Sequence, residues 1–352
     1  MRLIERVWFY RDNARYWLVP LLLPLTLIFA LLTRFRRWCY RIGLKKTQQL
    51  SEPVIVVGNI GVGGNGKTPV TLSLIELAKQ CGYRPGVISR GYGGKAPHYP
   101  YLLTSESTAV ESGDESYLIY QRAQVPVCVG SDRIAAGNKL IELGCNLIIA
   151  DDGLQHYRLA RQCELIVVDA KRMLGNGLLL PAGPLREGKA RLQKADLVIF
   201  NGVETLATEQ LNLLNSVDGR YLLERTITMR LAATKVVNLA SKQVMSVSEF
   251  TKRFSSVNAI AGIGDPARFF TTLTTIGLDC QHSRGFVDHH HFQASDFADY
   301  DDNIPLLMTE KDAVKCQGFA KDNYWYLTVD ADFEPSAQEK LTSLLVKLNI
   351  GK

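Results

Sequence analysis

The chain has 352 residues, 46% hydrophobic and 22% charged, a composition that fits a folded globular protein and excludes a disordered or low-complexity one. Its net charge of +6 sits at the N-terminus, where Glu5 and Asp12 are the sole acidic residues before residue 50; the remainder is slightly acidic, which argues for a membrane surface and against a nucleic acid as partner. The seven cysteines are odd in number, form no CxxC pair and lie partly in apolar runs, which excludes a disulfide framework and fits a reducing compartment.

Residues 17–33 carry no charge and, at about 1.5 Å per residue, reach roughly 25 Å as a helix, a little short of a hydrocarbon core of roughly 30 Å. Pro20 and Pro24 weaken a straight helix there. No small-residue cleavage site follows; Arg34, Arg36, Arg37, Arg41, Lys45 and Lys46 do, a pattern that retains the segment and places the following domain on the cytoplasmic side. Residues 1–48 are therefore expected to be a membrane anchor with a basic flank, either spanning the bilayer or lying in one leaflet.

Val54-Ile55-Val56-Val57 is a β-branched apolar run that stops at Gly58. Then come Gly61, Val62, Gly63, Gly64, Asn65, Gly66, Lys67 and Thr68, followed by the helix-forming stretch Leu72 to Gln80. Strand, glycine loop and helix in that order form a phosphate-binding loop. The glycines let several backbone N–H groups point at one anion, and the helix adds the positive end of its dipole. Lys67 is expected to bridge the terminal phosphates and the Thr68 hydroxyl to reach Mg²⁺. The motif implies a nucleoside triphosphate without specifying a kinase, a switch or a motor.

Beyond the loop, strands (84–89, 125–129, 147–150, 165–168, 197–200) alternate with helices (115–124, 134–143), the signature of a parallel sheet covered on both faces. Such sheets bind ligands beyond the carboxyl ends of their strands. Asp151 and Asp152 follow one such strand and are placed to hold Mg²⁺. Residues 49–219 thus form the nucleotide domain. The stretch 221–238 looks extended and two-stranded, so 220–240 is expected to be a linker. A second, smaller α/β unit fills 241–352, with strands at 258–263, 305–308 and 325–329 and helices at 267–275, 313–319 and 337–348.

Several polar groups carry two readings. Asp114 opens a helical segment, either as its N-cap or as a carboxylate that takes a proton from an attacking hydroxyl. His289, His290 and His291 lie in a solvated loop, an adventitious metal tract, or a site where one histidine shares a proton with a carboxylate. Arg186 follows a stiff Pro181-Ala182-Gly183-Pro184 turn that suits an arginine aimed at phosphate, or else a surface ion pair. Arg90 and Arg133 add cations at strand ends. Thr309-Glu310-Lys311-Asp312 approximates a guanine-reading motif, with its lysine one place late.

Taken together, GGNGKTP at 63–69, SRGYGG at 89–94, GDE at 113–115, DDGLQH at 151–156, PAGPLRE at 181–187, AGIGDPARFF at 261–270, FVDHHHF at 286–292 and MTEKDAVK at 308–315 resemble the tetraacyldisaccharide 4'-kinase family of lipid A biosynthesis over nearly the whole chain. The resemblance implies an α/β fold: a phosphate-loop domain, a second α/β domain joined by a β-linker, and an N-terminal membrane helix. It implies transfer of the γ-phosphate of ATP to the 4'-hydroxyl of an acylated glucosamine disaccharide, with Mg²⁺, at the cytoplasmic face of the bacterial inner membrane. Neither a nucleic acid nor an obligate protein partner is expected. By the same resemblance Asp114 is the catalytic base, His289 its partner and Arg186 the steadying arginine. Lys67 and Thr68 serve the phosphates, Asp151 and Asp152 serve Mg²⁺ and catalysis, and Arg90, Tyr92, Arg133, Gln155 and His156 line the site. Two positions depart from the usual pattern: Leu154 stands where Phe is frequent and Asp265 where Asn is frequent. Because Lys67 and His289 fall in different expected domains, closure of the two on substrate is also expected. The rival from the phosphate loop alone is a membrane-tethered nucleotide switch or ATPase driving a protein partner, which needs neither acceptor site nor catalytic histidine.

Overall fold

The computed structural model of the chain describes residues 3–350, without the side chains of 218–220, 349 and 350. Helix α1 (Leu3–Phe9) precedes α2 (Arg15–Arg41), which continues through Pro20 and Pro24. Each proline removes one backbone donor, and the turns on either side carry the helix past it. Helix α2 is long and apolar enough to cross a membrane, and its apolar stretch is almost entirely uncovered by the rest of the chain. It outruns the uncharged segment because the basic residues 34–41 extend it.

The strands of the first half are β1 (Val54–Gly58), β2 (Pro85–Ser89), β3 (Tyr101–Leu102), β4 (Val127–Val129), β5 (Leu147–Asp151), β6 (Cys163–Asp169) and β7 (Leu197–Asn201), in the spatial order β3-β4-β2-β5-β1-β6-β7. All pair in parallel except β3. Helices α3 (Lys67–Gln80), α4 (Ala109–Ser112), α5 (Asp114–Ala123), α6 (Arg133–Glu142) and α7 (Thr208–Glu224) belong to this half. Alternate residues of β1 enter opposite cores: Ile55 and Val57 one cluster, Val54 and Val56 the other. A strand buried on both faces has no solvent side, which is why its sequence is a continuous apolar run.

The expected linker takes a different form. Leu223 belongs to α7, and the chain then runs as one long strand, β8 (Thr226–Asn238), pairing parallel with β7 and antiparallel with β13 (Tyr324–Phe333). The second strand of the bridge thus comes from far downstream. Around it lie β9 (Val244–Ser246), α8 (Val247–Arg253), β10 (Ser256–Ala261), α9 (Pro266–Thr275), β11 (Asp279–Gly285), β12 (Leu306–Thr309) and α10 (Glu310–Cys316). The result is one continuous sheet of 13 strands, two parallel halves joined by the β8–β13 ladder. Strand β11 escapes hydrophobic patterning because it is a largely exposed edge with the sequence DCQHSRG. The last helix, α11 (Pro335–Ile350), returns to the first half, where Ala337, Leu341 and Leu345 join the cluster around Ile55 and Val57.

Candidate active site

The phosphate loop leaves β1, the strand flanked by β5 and β6, so it opens beyond the carboxyl ends of neighbouring parallel strands. Gly66 caps α3 in the left-handed conformation at φ 87° with no side-chain cap, which leaves the first helical N–H groups free for an anion. Lys67 is the first residue of that helix, followed by Thr68 and Pro69. Asn201, at the end of β7, donates to the Asn65 carbonyl at 3.0 Å and braces the loop from the side.

The Pro181–Glu187 turn is laid along the same loop. Val62 N donates to Pro184 O at 2.9 Å and Arg186 N to Ile60 O at 2.8 Å. This aims Arg186 at Asp152, which its Nη1 reaches at 3.0 Å, while Lys67 Nζ stands 3.7 Å from the same carboxylate. Burial opposes ionisation of Asp152, but Lys67 and Arg186 outweigh it and hold the carboxyl below its usual range. Asp152 has φ 48°, an uncommon left-handed conformation for a residue with a side chain.

Asp151 differs from its neighbour. It is 1% exposed, accepts a hydrogen bond from Thr71 Oγ1 at 3.3 Å, and burial together with the negative charge of Glu115 pushes its carboxyl up to about 7. Arg133 lies buried beside it, one guanidinium nitrogen 3.5 Å from the Asp151 carbonyl and another without a partner. Among the described residues no three His, Cys, Asp or Glu side chains converge as a metal cage. A phosphate-bound Mg²⁺ needs none, since it uses one or two carboxylates plus the nucleotide's oxygens. A buried carboxylate at the end of β5, costly to ionise unaided, fits that role.

The second half supplies the other wall. His289 Nδ1 lies 3.2 Å from Asp114 Oδ2, and the imidazole faces the exposed ring of Tyr92 at 5.3 Å. Asp114 is not the helix cap: Gly113 occupies that position at φ 83°, where an added Cβ would meet Tyr92 O at 2.5 Å. The glycine lets the SRGYGG loop lie against the start of α5 and frees the Asp114 side chain. Burial opposes its ionisation, but the His289 hydrogen bond, Lys315 and Lys311 outweigh this and keep the carboxyl below its usual range. His290 is engaged elsewhere, its Nε2 3.0 Å from Asp296.

The remaining expected residues divide. Gln155 accepts from Arg186 at 3.4 Å and donates to Asn59 O at 3.1 Å and to Glu187 at 3.2 Å, so it links the turn to the phosphate loop. His156 has a buried Nδ1 without a partner, and burial, then Arg133, depresses its basicity. Arg90 is exposed and near enough to Arg133 to disfavour its charge. Sequence reasoning did not single out Arg172, which stands against Gly63 and pairs with Asp265 at 3.1 Å across the halves. Nor did it single out Lys315, 2.8 Å from Asp312 and 3.9 Å from Asp114. The Arg172–Asp265 and Lys315–Asp114 contacts join residues remote in sequence, which leave no local signal.

A family model described as LpxK, tetraacyldisaccharide-1-P 4'-kinase, matches residues 18–346. The chain is 57% identical over 339 residues to a tetraacyldisaccharide 4'-kinase of Colwellia psychrerythraea, covering 96% of each. It is 45% identical over 342 residues to one of Vibrio cholerae, covering 96% of this chain and 95% of that one. The crystal structure of LpxK from Aquifex aeolicus in complex with ATP superposes with a TM-score of 0.76 at 28% identity, covering 94% of this chain and 99% of the other. A family model matched over residues 18–346 and relatives 45–57% identical over nearly their whole length make the chain a member of the tetraacyldisaccharide-1-P 4'-kinase family.

Proposed function

We propose that the chain transfers the γ-phosphate of ATP to the 4'-hydroxyl of a tetraacyldisaccharide 1-phosphate, giving lipid IVA. The observation that carries this reading is the 3.2 Å contact between Asp114 of the phosphate-loop half and His289 of the other half. A nucleotide switch needs no such pair, whereas transfer to an alcohol is served by a positioned group that takes its proton.

Each residue has a task that follows from its chemistry. The N–H groups of Gly61 to Thr68 cradle the phosphates, and Lys67 and Arg186 balance their charge. Thr68, Asp151 and Asp152 would hold Mg²⁺, which when bound shields phosphate charge and orients the terminal phosphate. Asp114 accepts the proton of the attacking hydroxyl while His289 steadies it. Arg90, Tyr92, Arg133, Gln155 and His156 are the candidates for substrate contact; Tyr92 lies against His289, while Arg133 lies beside Asp151 and Gln155 beside Arg186. Helix α2 would set the body at the cytoplasmic face of the inner membrane in a Gram-negative envelope, so that the sugar enters the cleft while its acyl chains stay in the leaflet. The exposed apolar side chains of α2 and the basic residues at its end support that placement.

The test is mass spectrometry of the lipid after incubation of the full-length protein with ATP, Mg²⁺ and the acylated disaccharide. One new phosphate on the distal sugar is expected, with negligible phosphate release when the acceptor is withheld. ATP consumed equally with and without acceptor, and no phosphate on the lipid, would establish the nucleotide-switch reading instead.

A further inference from the structure

The Thr309-Glu310-Lys311-Asp312 motif plays no part in holding the nucleotide in the reading above, yet it grips His289 from two sides. Asp312 is fully buried, accepts from Thr309 Oγ1 at 2.6 Å and from Gly262 N at 2.8 Å, and Gly262 O in turn accepts from His289 N at 3.2 Å. This holds the His289 backbone at φ 60°, a left-handed conformation that a side chain disfavours. On the ring side, Lys311 Nζ lies 3.5 Å from His289 Nε2.

We propose that Lys311 is a positioning residue for phosphoryl transfer, its ammonium fixing the tautomer of His289 with the ring proton on Nδ1, directed at Asp114. The proposal rests on the reading of Asp114 and His289 as the proton-handling pair. An ammonium donates and has no acceptor, so the imidazole nitrogen facing it must offer its lone pair. The neutral ring has one N–H, which then falls on Nδ1, within hydrogen-bond distance of Asp114 Oδ2. Lys311 stays charged: burial opposes this, but Glu115 at 3.0 Å and Asp288 at 3.6 Å outweigh it and raise its basicity.

The other groups around the ring agree with this assignment. Asp288 Oδ1, 4.0 Å from Nε2, would favour a proton there, but Lys311 is closer to both and offsets it. Glu115 is paired with the same ammonium, Lys315 stands 3.9 Å from Asp114, and the ring of Tyr92 packs against the imidazole with centroids 5.3 Å apart. With one Asp114 oxygen occupied by His289, the other is left for the acceptor hydroxyl.

The decisive measurement is two-bond ¹H–¹⁵N correlation on full-length protein in detergent micelles, labelled with ¹⁵N-histidine. The His289 signals are assigned by their loss in His289→Gln. Wild type should show a protonated Nδ1 and a bare Nε2. Lys311→Met should introduce the opposite tautomer and lower kcat on the order of ten- to a hundredfold with the KM for ATP unchanged, the scale of losing a hydrogen-bonded support. Lys311→Arg should restore both. A wild-type proton on Nε2, or a Met variant with the original tautomer, overturns the proposal. If instead Asp114→Asn and His289→Gln transfer phosphate at the wild-type rate, the underlying pair fails, whatever the tautomer.

Discussion

Asp152 is reached by two cations from different segments, Arg186 of the proline-rich turn at 3.0 Å and Lys67 of the phosphate loop at 3.7 Å. The carboxylate keeps both charges beside the loop that would take the phosphates. Arg186→Ala should therefore lower kcat by about 10²- to 10³-fold, the cost of removing one preorganised transition-state donor. Arg186→Lys should recover little, because a point charge cannot replace the planar fork that meets both a carboxylate and a phosphate. Steady-state kinetics on the lipid product checks this, and an alanine variant at the wild-type rate would exclude the role.

The raised basicity of Asp151 has a direct consequence for metal binding. In the proposed role as a Mg²⁺ ligand, Asp151 would be contested by protons, because burial and Glu115 push its carboxyl up to about 7. Affinity for Mg²⁺–nucleotide should rise as pH climbs through about 7 and level off above it, and Asp151→Asn should flatten that dependence while weakening binding throughout. Titration calorimetry across that range reads both. Stability without ligand has the opposite sign, since a folded-state value above the unfolded one contributes stability at low pH that is lost as pH rises through about 7.

Glu310 shows the same logic away from the nucleotide. It accepts from Arg122 of α5 at 2.8 Å, and Arg122 also binds Asp330, so this cluster clasps the two halves. Burial nevertheless outweighs the arginine and pushes the Glu310 carboxyl up to about 7 from 4.5. Its stabilising contribution is full below 4.5 and lost as pH rises through about 7. Glu310→Gln should thus gain in melting temperature relative to wild type as pH increases over that window. Thermal unfolding of both proteins across the window measures it, and a pH-independent difference would rule the titration out.

Helix α2 is fastened to the turn that carries Arg186. The Ala182 N–H donates to Thr26 Oγ1 at 3.0 Å, and Arg37 reaches the buried Glu187 at 3.5 Å. Thr26→Val keeps the shape but leaves a buried N–H unpaired, at a cost of about 1–3 kcal/mol to that segment. Faster hydrogen exchange at Ala182 and a lower kcat should appear together, with the protein still sedimenting with membranes. Unchanged exchange at Ala182 would show that the helix does not brace the turn.

Where function was legible from the chain alone, the reason was local. The glycines at 61, 63, 64 and 66, with Lys67 and Thr68, act through neighbouring backbone, so their spacing carries their chemistry. The apolar runs of β1 and β5 declared a sheet buried on both faces for the same reason. Strand β11 and the partner of β8 were not legible: the first is polar because it is an edge, and the second lies about ninety residues downstream across the β8–β13 ladder.

The sequence by itself therefore determined a nucleotide-binding α/β chain with an apolar, basic-flanked N-terminus, since helix periodicity, strand runs and the phosphate loop all operate over a few residues. Only the tertiary structure decided that Asp114 is freed from capping by Gly113, that His289 rather than His290 faces it, and that Lys311 meets the ring from behind. These contacts join residues far apart in the chain, and hydrogen bonds act through space over about 3 Å, a distance that sequence order does not encode.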